Sequence, residues 1–152
     1  MQTVAIAVAL IFFAQSLLWA YSLVVRDVSL VDRFWGLGFV LIAIVSFAQS
    51  ESWSLRHALV LLLVACWGVR LSAHIHLRNR GKGEDARYRA MRDSVGSAFW
   101  WRSYFTVFLL QGFLMCVVAL PIWFVNLGES GPGFSALDFF AIVLWSVGFY
   151  FE

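Results

Sequence analysis

Six cations fall within fifteen residues of this chain: Arg78, Arg80, Lys82, Arg87, Arg89 and Arg92. The turn that carries the second and third of them, Asn79-Arg80-Gly81-Lys82-Gly83, is rich in glycine. A guanidinium group meets phosphate through two parallel N–H bonds, and glycine lets the backbone approach a pyrophosphate closely. The chemistry this points to is phosphate recognition. The same charges also serve as a topology signal and as a solvated face against anionic lipid. Gly81-Lys82-Gly83 matches neither a Walker loop nor a dinucleotide-fold glycine motif, since no strand precedes it.

Two further residues could move protons or face a carbonyl. Asp32 stands beside Arg33, ahead of Phe34-Trp35-Gly36-Leu37-Gly38-Phe39. It can be paired with Arg33 or Arg26 for structural reasons, or face a cavity and donate a proton or hydrogen bond to a substrate. Arg70, His74 and Arg78 are spaced i, i+4, i+8 and share a helix face. An Arg deep in a membrane costs about 2.5–3.5 kcal/mol, less near an end where it can snorkel. Arg70 is therefore either a snorkelling side chain or an anion contact. His74 and His76 are i, i+2, about 200° apart, whereas helical metal pairs use i, i+4. No metal site is predicted, and no serine sits in a nucleophile elbow. Cys66 and Cys116 lie in apolar runs and read as small hydrophobes.

The elements that must position these groups are membrane helices. The 152 residues are 62% apolar and 13% charged, against about 25% charged in a soluble domain. An all-α polytopic bundle of about five spans follows, at 3–25, 31–48, 57–75, 99–125 and 134–152. The first run is too long for the apolar core of a signal peptide, about 7–15 residues, and lacks a basic leader, so it stays in the membrane. Gly36 and Gly38 permit close helix packing in the second span. Phe99-Trp100-Trp101-Arg102 suits a membrane interface at the start of the fourth, and Pro121 predicts a kink or early stop near its end. Gly128-Glu129-Ser130-Gly131-Pro132-Gly133 separates it from the fifth.

Eight Lys and Arg side chains lie in the first and third connections, and the other side has only Arg56. The positive-inside rule then puts the N-terminus outside, and the basic loop and C-terminus in the cytoplasm. Within that loop the Asn-Gly signals end a helix, and a short interfacial helix follows. Glu84 and Asp85 stand at its start, Arg89 and Arg92 towards its end. Asp85 with Arg89 and Arg89 with Asp93 are i, i+4 neighbours. Tyr88, Met91 and Val95 share a side, so the segment could lie in the interface plane.

Val31-Asp32-Arg33-Phe34-Trp35-Gly36-Leu37-Gly38-Phe39, Arg70-Leu71-Ser72-Ala73-His74, Arg78-Asn79-Arg80-Gly81-Lys82-Gly83-Glu84-Asp85-Ala86-Arg87-Tyr88 and Phe99-Trp100-Trp101-Arg102-Ser103 together resemble the N-terminal half of a bacterial membrane family. It is an uncharacterised branch related to the steroid 5-alpha-reductases, and the resemblance runs from about residue 5 to residue 152. The resemblance implies an inner-membrane reductase that passes hydride from NADPH to a C=C bond conjugated to a carbonyl. The substrate would be hydrophobic, sterol- or lipid-like, with no nucleic-acid partner. Arg70, Arg78, Arg80, Lys82, Arg87 and Arg89 become the candidate cofactor contacts, and Asp32 and His74 the candidate catalytic acids. Family members continue into a C-terminal half with an Arg-His-Pro-x-Tyr-type motif that is missing from these residues. The chain therefore reads as the N-terminal half of a larger fold, inactive by itself. A methyltransferase-like membrane enzyme and a non-catalytic scaffold or lipid-binding protein are the alternative readings.

Overall fold

The computed structural model describes residues 2–50, 54–128 and 133–152, and it is helical throughout, with no strand among the described residues. α1 (Gln2–Val25), α2 (Leu30–Ala48) and α3 (Leu55–Asn79) are long, unbroken and apolar. At about 1.5 Å per residue, α1 and α3 each exceed the roughly 30 Å of a bilayer core. α4 (Ala86–Val95) is the short polar helix expected in the third connection. A 3-10 turn (Gly96–Ala98) leads into a fourth long rod, made of α5 (Phe99–Ser103), a π-helical stretch (Tyr104–Leu109) and α6 (Leu110–Val118). α7 (Leu120–Leu127) carries Pro121 in its first turn, so the rod breaks at Ala119, where proline cannot donate the ladder hydrogen bond. α8 (Ala136–Phe151) closes the described chain.

Among the described residues four helices are long and apolar enough to cross a membrane, one fewer than the five spans expected. The difference lies in α8. Its 16 residues give about 24 Å, because the Ser135–Asp138 capping box starts the helix two residues later than the apolar run at Phe134. The expected loop at 128–133 lies mostly outside the described residues.

Two glycines set the tightest contact of the bundle. A Cβ on Gly36 of α2 would stand 2.1 Å from the Gly68 carbonyl oxygen of α3, and one on Gly68 would stand 2.5 Å from the Gly36 oxygen. Backbones therefore touch, and the Ser72 hydroxyl accepts from the Leu37 amide at 3.1 Å beside them. Gly38 makes room for a side chain instead, the Met115 thioether. In lipid, where apolar side chains gain little by leaving their solvent, such close approach is what drives helix association.

The buried apolar residues form two clusters. One, through Ile11, Phe39, Ile42, Met115 and Trp123, joins α1, α2, α6 and α7. The second gathers Val28, Val31, Tyr88, Phe99, Val107 and Phe108 at the charged end. Tyr88, with Met91 and Val95 packed against the same cluster, turns the shared side of α4 onto protein. The side expected to give α4 its place in the interface plane thus packs on Val28, Val31 and Phe99.

Candidate functional site

The charged end is built from the first connection and α4. Asp85 caps α4, accepting from the Arg87 amide at 3.0 Å, as its position before Ala86 favours. Gly81 and Gly83 take φ of +76° and +72°, the left-handed backbone that lets α3 end and the chain double back. This reversal brings α4 over residues 27–33.

Four carboxylates and three guanidiniums then interlock. Asp27 accepts from Arg33 Nη2 at 2.7 Å and from the Ser29 amide and hydroxyl. Asp32 accepts from Arg87 Nη2 at 3.0 Å and from the Tyr88 hydroxyl at 2.8 Å. The same Arg87 reaches Asp85 through Nε at 3.0 Å. Glu84 takes a two-pronged bond from Arg92, at 3.0 and 2.7 Å, and accepts the Val28 amide at 2.9 Å. The Arg87 bonds hold the Asp85 carboxyl below the usual carboxylate range. Burial, and secondly the bond to Asp32, push the Tyr88 phenol well above its ordinary value, so Tyr88 is a fixed proton donor to Asp32.

Asp32 thus pairs with Arg87 and Tyr88, and with neither Arg33 nor Arg26; Arg33 is taken by Asp27. The i, i+4 pairs of Arg89 are replaced as well. Asp85 lies before the helix and folds back onto Arg87, two residues on, while Asp93 and Arg89 form no ion pair among the described residues.

The remaining predicted residues separate into three places. Arg78, Arg80 and Lys82 line the end of α3 and the glycine turn. The Arg78 side chain makes one long bond, 3.4 Å, to Asn79, and the Arg80 and Lys82 side chains make no hydrogen bond or ion pair among the described residues, although their backbone amides donate to the Leu77 and Asn79 carbonyls. Apart from the adjoining residues of the chain, no described atom comes within 4 Å of where a Cβ would stand on Gly81 or Gly83. Arg89 faces elsewhere, into a cleft shared with Leu23, Arg26 and Trp100. Arg70 is drawn to α8, where Nη1 donates to the Phe149 carbonyl and the guanidinium lies 4.1 Å from the centre of the Phe149 ring. His74 is exposed on α3, one turn beyond Arg70.

Residues 18–152 match the family described as Protein of unknown function (DUF1295). The chain belongs to that family. The match takes in both halves of the charged end, so the interlocked carboxylates and arginines of this DUF1295 chain all lie inside the family's stretch. No curated protein and no solved structure matches the chain.

Two features of this end were not read from the sequence. The Asp32–Tyr88 bond joins positions 56 apart, and the Glu84–Arg92 pair joins positions 8 apart. Neither has a local spacing signal: the first depends on the chain reversal at Gly81 and Gly83, and the second joins a residue ahead of α4 to one in its last turn.

Proposed function

We propose that this chain forms the membrane-embedded part of an NADPH-dependent reductase of conjugated C=C bonds, with Arg78, Arg80 and Lys82 receiving the cofactor phosphates. One observation carries the reading. Of the cations in the third connection, Arg87 and Arg92 are spent on carboxylates, while these three have no carboxylate partner among the described residues and flank glycine backbone open to a ligand. The residues fit phosphate: three cationic side chains on a turn with open space beside both of its glycines. NADPH supplies the hydride. The positive-inside rule puts this end in the cytoplasm, where the cofactor is found.

In this reading Asp32 is a positioning residue. Its bonds to Arg87 and Tyr88 hold α4 and thereby the reach of the glycine turn. His74, exposed and one turn along α3 from Arg78, remains the candidate acid for a substrate carbonyl, and Arg70 orders α8. The test is NADPH titration of the detergent-solubilised chain with Arg78→Ala and Arg80→Ala combined. Loss of two bidentate phosphate contacts should weaken binding at least about tenfold, and weaken NADH less, since NADH lacks the 2′-phosphate. Equal affinity of the double variant and the wild type would overturn the assignment.

A further inference from the structure

A second cationic cleft lies at the same end, lined by none of the residues of the Asp32 bonds. It encloses about 690 Å³ between the end of α1, α4 and the start of α5, within the roughly 300–1,000 Å³ of small-molecule sites. Its floor is fixed. The Trp19 indole donates to the Trp100 carbonyl at 2.9 Å, tying α5 to α1, and the Arg92 guanidinium lies 4.5 Å from the centre of the Phe99 ring.

The charges that line it are unequally committed. Arg92 is closed on Glu84 by two bonds. Arg26, Arg89 and Asp93 are exposed and form no ion pair among the described residues. Arg26 is also the one described non-glycine residue with left-handed backbone, φ 55°, a conformation that costs energy in a side-chain-bearing residue. Two guanidiniums and one carboxylate therefore remain to meet a ligand. Leu23, on the last turn of a membrane helix, and Trp100, an indole at the level suited to lipid headgroups, supply an apolar wall and are 37% and 56% exposed.

We infer that this cleft binds an amino-phospholipid, with Arg26 and Arg89 on the phosphate, Asp93 on the headgroup ammonium, and Leu23 and Trp100 along the glycerol and first acyl carbons. A free phosphate would find the guanidiniums but would face Asp93 as a like charge, and a glycerol headgroup would bring no ammonium to Asp93. The proposal uses none of the three cations assigned to the cofactor phosphates, so either reading can fail alone.

The probes are dioctanoyl-phosphatidylethanolamine, dioctanoyl-phosphatidylglycerol, glycerophosphoethanolamine and inorganic phosphate, each titrated against the detergent-solubilised chain by native mass spectrometry. The ethanolamine lipid should bind about tenfold tighter than the glycerol lipid, and Asp93→Asn should remove that preference. Arg26→Gln with Arg89→Gln should weaken both lipids about tenfold or more. Should that double variant lose its fold, Arg89→Gln alone carries the test, since Arg89 makes no contact whose loss would disturb α4. Undiminished lipid binding by these arginine variants would overturn the proposal, as would equal affinity for the two lipids in the wild type. Glycerophosphoethanolamine or inorganic phosphate binding as tightly as the ethanolamine lipid would assign the cleft to a soluble anion and overturn the lipid.

Discussion

α4 and α8 both dock on the bundle through arginine–carboxylate pairs, but different surfaces lie beneath them. Under α4, Tyr88 is 7% exposed and packs with Val28, Val31 and Phe99, so its ion pairs sit over an apolar core. α8 has no buried residue. It is held to α3 at its two ends, by Arg56 on Asp138 at 2.9 and 2.8 Å and by Arg70 on the Phe149 carbonyl. At the Phe149 end a groove of about 480 Å³ opens beside Trp67, Trp145 and Phe149. Ion pairs over a core add direction to contacts already made. Under α8 one ion pair and one hydrogen bond to a carbonyl carry the docking, with no buried residue beneath them. Because Arg56 meets the start of α8 and Arg70 its end, the two helices run parallel.

The change with the largest expected effect removes the platform that both helices share. Gly68→Val puts a branched side chain where the Gly36 oxygen already stands 2.5 Å from an added Cβ. Backbone cannot rotate aside as a side chain can, so α2 and α3 must separate at a cost of about 3 kcal/mol or more. The yield of monodisperse protein and its melting temperature in detergent report this directly. An unchanged melting temperature would remove the backbone seam from the account.

The next change tests α8 against α4. Arg56→Ala leaves Asp138 with its Ser135 bonds but without the cation that ties it to α3. Amide exchange over 136–151 should then rise to that of an undocked helix, while exchange over 86–95 stays as in the wild type. Equal protection of α8 in both proteins would mean that lipid or detergent, and not α3, holds it in place.

Much of this comparison was visible in the sequence at the level of helices and invisible at the level of pairs. The long apolar runs, the break at Pro121, the glycine turn at 79–83 and the close packing at Gly36 each follow from local rules, since hydrophobic period, missing donor and left-handed backbone act within a few residues. Gly68 went unread because an isolated glycine in an apolar run carries no sign of its partner. The length of α8 was overestimated because apolar composition continues through Phe134, while the helix begins where Ser135 and Asp138 cap it. Among the charges, Asp32 had two nearby arginines, Arg33 and Arg26, and pairs with neither. Its partner is instead Arg87, brought to it where α4 lands, and that depends on the direction in which Gly81 and Gly83 turn the chain.

The smallest expected effect separates the bond from the core within α4 itself. Tyr88→Phe keeps the ring among Val28, Val31 and Phe99 and deletes only the hydroxyl that donates to Asp32 at 2.8 Å. Asp32 keeps Arg87, so the loss is that of one hydrogen bond to a charged acceptor beside partial solvent, roughly 1 kcal/mol. Its pH dependence has a definite sign. A phenol held above its ordinary value contributes stability that is fully present below about pH 10 and declines as pH rises above it, where the unfolded chain ionises first. The difference in stability between wild type and Tyr88→Phe should therefore be constant from neutral pH to about pH 9 and shrink above about pH 10. A constant difference through pH 11 would show that the hydroxyl acts by filling space. A difference near zero at neutral pH would mean that the core beneath α4 does all the holding, and the contrast with α8 would then be sharper still.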